Sequence, residues 1–192
     1  MMIKVAEVGA ESLDRVNKIL AGVPGGIWKA TYGALNRAGN MAKTSAGRFA
    51  AEEYTIKKSD FMRNVHQKSH IRSEAGGVVS MSISFAGNVL PLLVFRTRYA
   101  KNGLLQTQVK REGAATLLRH AFAERVFGPI GVYERIGAER FPVEKKYGPS
   151  AAHMMENETV IKKMEATIAE TFDRRLEHEI TRVLNGWGGK RR

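Results

Sequence analysis

Val79, Met81, Ile83 and Phe85 alternate with Ser80, Ser82, Ser84 and Ala86, the period-two pattern of a strand with one buried face. The apolar run Leu90 to Phe95 has no polar partner positions and predicts a strand covered on both sides. Leu104 to Lys110 alternates again, with Leu105, Thr107 and Val109 set against Gln106 and Gln108. Ala121 to Phe127 and Val132 to Ile136 add two further strands, separated by the turn sequence Gly128-Pro129-Ile130-Gly131. A short opening strand is expected over Ile3 to Val8. After a pause at Gly137 an extended run resumes at Arg140-Phe141-Pro142-Val143. Pro142 has no N–H to give to a ladder, which makes this an edge strand or a strand end. Gly148-Pro149-Ser150 then predicts a sharp break ahead of helical sequence.

The helical period appears in four places. Ser12 is placed to cap a brief helix through Leu20, which Gly22-Val23-Pro24-Gly25-Gly26 interrupts. Ile27, Ala34, Leu35, Ala38, Met41, Ala42, Ser45 and Phe49 then recur at three- and four-residue steps, on a face rich in alanine and glycine. Small residues of that kind let another backbone approach closely, so the helix is expected to lie flat on a sheet or a neighbouring subunit. Ser59-Asp60 opens a short helix from Phe61 to about His66. The last helix carries a narrow stripe of Ile161, Met164, Ile168, Phe172, Leu176, Ile180 and Val183, suited to packing on its own sheet or on a second copy. These elements predict one α+β domain over residues 1–185. It has an antiparallel-rich sheet of about four to six strands, long N- and C-terminal helices packed against it, and a flexible basic tail at 186–192.

The 192 residues suit one ordinary domain, and 43% hydrophobic content argues against disorder. No cysteine is present, which removes disulfides, thiolate metal sites and cysteine nucleophiles. No apolar run has the length of a membrane span and the N-terminus lacks a secretory core, so no membrane contact and synthesis in the cytoplasm are expected. The net charge of +12 does change the picture. It is concentrated in residues 24–72 (nine basic, three acidic) and 96–125 (seven basic, two acidic), whereas the last helix region, 155–185, carries five basic and seven acidic residues. Such an excess suits nucleic acid or an acidic protein surface.

Candidate chemistry is sparse. His66 and His70 stand four apart, a spacing that puts two imidazoles on one helical face, but no HExxH motif or third ligand accompanies them. No phosphate-binding glycine loop, nucleophile elbow or Ser-His-Asp arrangement is present. No catalytic residue, metal or cofactor is therefore assigned. Arg96 and Arg98 alternate, so both project from one face of a strand, with Lys101, Lys110 and Arg111 following. That field suits salt-dependent phosphate contact without sequence choice.

The stretch Gly131 to Ser150, GVYERIGAERFPVEKKYGPS, is an arginine-flanked hairpin running into R-apolar-P-apolar and GPS. It resembles the minor tail protein Z family of long-tailed bacteriophages. YGALNRAGNMAKTSAGRFAAEEYTIKKSDF, GNVLPLLVFRTR and LEHEITRVL continue the resemblance in order, so that it spans Trp28 to Leu184. The resemblance implies a non-enzymatic virion component, a tail completion protein at the head-proximal end of the tail. It implies a homo-oligomeric ring, such as a hexamer, that joins the tail to the neck. The partners implied are a tail terminator or tube protein, a head–tail connector and phage DNA. On that reading Arg96, Arg98, Lys101, Lys110 and Arg111 face the DNA channel or an acidic partner ring, while Tyr133, Arg135, Arg140 and Phe141 contact the neighbouring subunit. The alternatives are a free-standing, sequence-non-specific DNA-binding protein and a metal-dependent nuclease.

Overall fold

The computed structural model describes residues 2–7, 10–73, 79–126 and 128–186. The chain is of the mixed α+β class, with antiparallel strands in small sheets and long helices toward both ends. Its contacts gather into two compact units. One comprises Met1–Ser45, Gln67–Phe85 and Ile161–Arg192; the other comprises Ala46–His66 and Ala86–Val160.

The first unit holds β1 (Met2–Glu7), β3 (Val79–Ala86) and β2 (His66–Ser73, from Gln67 on) in the order β1-β3-β2, together with α1 (Ala10–Leu20). β1 runs antiparallel to β3, with Ile3 opposite Ile83 and a one-residue irregularity between Lys4 and Ala6. The expected apolar face of β3 is present, with Val79, Met81, Ile83 and Phe85 all buried, although Ser80 on the opposite face is buried as well. Above the sheet lies α2 (Gly26–Glu53), whose residues to Ser45 belong to this unit. A Cβ at Gly39 would stand 2.7 Å from Met81 Sδ, so a larger residue there would have to push the buried Met81 side chain aside. Ala30, Ala34, Leu35, Ala38 and Ala42 are fully buried on the same face. Met41 is 45% exposed and lies beside that face rather than on it, since Ala38 and Ala42 on either side stay fully buried.

Beside α2 runs α5 (Glu158–Leu184). Met164, Ile168, Phe172, Leu176 and Ile180 are buried within the chain itself. Ile161 and Val183, at the two ends of the expected stripe, are only half-buried. Arg15 of α1 pairs with Glu177 of α5 at 2.9 Å.

The second unit contains three small sheets rather than one continuous one. They are β5 (Arg96–Tyr99), β6 (Leu105–Gln108) and β7 (Thr116–Leu118); β8 (Ala121–Glu124), β9 (Gly131–Arg135) and β10 (Val143–Lys145); and β4 (Val89–Pro91) with β11 (Tyr147–Ser150). Their strands are three to five residues long. Leu92, Leu105 and Val132 form a shared apolar core, with Val109, Leu118, Ala121 and Ala123 packed on it.

Three expectations change here. Leu90 to Phe95 is not a strand covered on both sides. Pro91 cannot donate to a ladder, and Leu92–Val94 coils into a 3-10 turn closed by Phe95 N–H to Leu92 C=O at 3.1 Å. Val89 and Leu93 are left exposed. Gly148-Pro149-Ser150 lies inside β11, and Ser150 ends that strand by capping α4 (Ala151–Met154): its hydroxyl accepts from His153 N–H at 3.1 Å. The short helix α3 spans Lys58–Arg63, starting one residue before Ser59, so Asp60 sits in its first turn and pairs with Arg63 at 3.6 Å. The Pro142 expectation holds: the residue immediately precedes β10, which is an edge strand.

Candidate functional site

The β5–β6 hairpin displays the first group of expected contact residues. Arg96 stands opposite Gln108 and Arg98 opposite Gln106, so both arginines share one face, as the alternation requires. The other face turns inward: Thr97 donates to Leu92 C=O at 2.7 Å and its hydroxyl lies 3.0 Å from that of Thr107. Arg96 hydrogen-bonds Gln108 Oε1 at 3.3 Å, while Arg98 is exposed and has no ion pair among the described residues. Lys101 occupies the turn that Gly103 closes with φ +75° and an N–H to Ala100 C=O bond of 2.9 Å. Lys110 is exposed, its backbone bridged to Tyr54.

Arg111 has a different role from the other four. Its N–H donates to Glu53 C=O at 2.8 Å and its guanidinium Nε to Ala51 C=O at 2.6 Å. Both acceptors are carbonyls of the last turn of α2, which have no partner within the helix and sit at the negative end of its dipole. Arg111 therefore ties down a helix end, although it remains solvent-exposed. Thr55 completes this junction: its hydroxyl donates to Gln108 C=O and accepts from Arg96 N–H at 3.0 Å.

The second group lies on the β8–β9–β10 sheet. Phe122 stands opposite Tyr133, the two rings stacked with centroids 6.1 Å apart. The Arg135 guanidinium lies over the Phe122 ring at 4.8 Å, and that of Arg140 lies near the Phe141 ring at 5.8 Å. Arg125, Arg135 and Arg140 line one open depression of about 220 Å³ with Phe122, Phe141 and Glu124. None of the three arginines forms an ion pair among the described residues. Phe141 is 54% exposed. Tyr133 does not join this surface: it is 1% exposed, since Gly131, Val132 and Tyr133 are all buried and β9 does not alternate here. It supports Phe122 from beneath and cannot touch a neighbouring subunit.

Lys146 stabilises the far side of the same sheet. It bridges Glu134 at 2.7 Å and Glu144 at 3.0 Å, and these two carboxylates raise its pKa. Among the described residues no group of three or more His, Cys, Asp or Glu is placed to hold a metal ion. His66 and His70 lie on a strand, where four residues span about 13 Å and the helical argument for pairing them fails.

Sequence reasoning passed over one further arrangement. Arg37, Asn40, Met41 and Thr44 on α2 and Thr171, Arg174 and Arg175 on α5 line a groove of about 310 Å³. The signal was in the spacing, since both sets recur at i, i+3 and i+4 and so share one helical face.

The fold and these surfaces define a mixed α+β protein with exposed cationic and cation–aromatic patches. Comparison of the chain with known families, curated proteins and solved structures finds no match in any of the three.

Proposed function

We propose that the protein is a structural component of a phage virion, a tail completion protein that assembles as a homo-oligomeric ring between tail and neck. The resemblance over Trp28 to Leu184 to the minor tail protein Z family supports this reading. The single observation that carries it beyond resemblance is the cation–aromatic patch of Arg125, Arg135, Arg140 and Phe141. An exposed phenylalanine stands there among three arginines that form no ion pair among the described residues, and aromatic and arginine side chains are what protein interfaces concentrate. The occupant on this reading is the neighbouring subunit, and the reading involves no turnover of substrate. Arg96, Arg98, Lys101 and Lys110 remain available for the DNA channel or an acidic partner ring, with Arg111 contributing charge from its tethered position. In the virion the protein would sit at the head-proximal end of the tail, beside a terminator or tube protein and a head–tail connector.

The mass of the purified chain in solution, measured by light scattering at low and high salt, tests this. A discrete ring-sized species is expected, and Arg140→Glu combined with Phe141→Ser should shift it toward monomer. A wild-type monomer at every salt and concentration would oppose the reading.

A further inference from the structure

The groove between α2 and α5 lies outside both groups of residues discussed for assembly. Arg37, Asn40 and Thr44 border it from α2, and Thr171, Arg174 and Arg175 from α5. No acidic side chain lines it. None of the three arginines has a carboxylate partner among the described residues, even though Glu170 stands one turn before Arg174 and Glu179 one turn after Arg175. Glu179 is instead buried against Arg182 at 3.2 Å. Thr44 donates its hydroxyl proton to Asn40 C=O at 2.8 Å, which leaves the three guanidinium groups, the Asn40 side-chain amide and the Thr171 hydroxyl as the donor groups of the lining residues. Three like charges gathered around one opening repel one another, and an anion relieves that repulsion.

We propose that this groove seats the phosphate backbone of nucleic acid, with Arg37, Arg174 and Arg175 each neutralising a phosphate. Its length favours a polyanion over a single ion. The row from Arg37 to Thr44 advances about 10 Å along the helix. Each nucleotide of a strand advances about 3.4 Å, so the row matches about three nucleotides. A net charge of +12 draws polyanions toward the chain as a whole. Met41 is the one large apolar side chain at the opening, so no aromatic platform stands ready to stack bases. Binding is therefore to backbone and indifferent to sequence. The inference requires no ring, and its failure would leave the assembly reading standing: one is read from DNA affinity, the other from particle mass.

The test is fluorescence anisotropy of the full chain with a short labelled random-sequence duplex across a salt series. Three phosphate contacts alone predict an affinity loss of about 40-fold between about 50 and about 200 mM salt. Arg37→Gln, Arg174→Gln and Arg175→Gln together should lower the slope of log affinity against log salt by about 2.7, or about 0.9 for each arginine. The three corresponding lysine substitutions should keep the slope. Arg96→Gln with Arg98→Gln and Lys101→Gln should change it less than the groove variant does. A groove variant with wild-type affinity and slope would overturn the proposal. So would a lysine variant that loses slope as the glutamine variant does, because charge would then not be what is read. Tighter binding of a glutamate-rich peptide than of duplex at equal salt would also overturn it, in favour of an acidic protein partner.

Discussion

Tyr54 ends α2 with its ring 4% exposed, and burial raises the pKa of its phenol above 10.0. A hydrogen bond with the Asn157 side chain opposes that shift, while the charges of Glu53 and Glu156 add to it. Below about pH 10 the phenol is neutral whether the chain is folded or not, so its contribution is fully present there. As pH rises through the folded-state pKa, the unfolded chain has already ionised and the folded chain resists, so stability is lost. Chemical denaturation between pH 8 and 11 should therefore show wild type losing stability more steeply than Tyr54→Phe above about pH 10; parallel curves would contradict this. At this scale the sequence was only partly readable. Arg96 and Arg98 share a face as their alternation said, because strand period is a local property. Arg111 looked like one more surface charge because its acceptors, Ala51 and Glu53, lie about sixty residues earlier in the chain. Tyr133 looked exposed because nothing in its neighbours reveals that β9 is buried at three successive positions.

Among the elements, long and strongly periodic segments were legible and short ones were not. β3 and the middle of α5 follow their patterns because a single burying face governs each there, and the α5 stripe weakens only at its ends, Ile161 and Val183. The run Leu90 to Phe95 misled because one residue, Pro91, outweighs the hydrophobicity around it by withholding an N–H. The beginning of α5 shows the same dominance of single residues. Asn157 Oδ1 accepts from Thr159 N–H at 2.9 Å and from Val160 N–H at 3.4 Å, satisfying donors that have no helical partner. Asn157→Ala should cost about 1 kcal/mol in urea-induced unfolding, and Asn157→Asp should restore most of it. Equal loss in both variants would mean that the capping bond is not what matters there.

For the whole molecule, the pattern of elements indicated the α+β class but not how the chain is distributed. The two compact units interleave five segments of sequence, and no composition shift marks the points where the chain leaves one for the other. On the proposed reading the chain forms a ring whose subunits meet through the Arg125, Arg135, Arg140 and Phe141 patch. Electron-microscope images of the purified wild-type chain beside the Arg140→Glu, Phe141→Ser variant decide whether it does. Closed rings with rotational symmetry and an open centre in wild type, scarce or absent in the variant, are the predicted result. Wild-type fields without rings, or rings equally abundant in the variant, would contradict it.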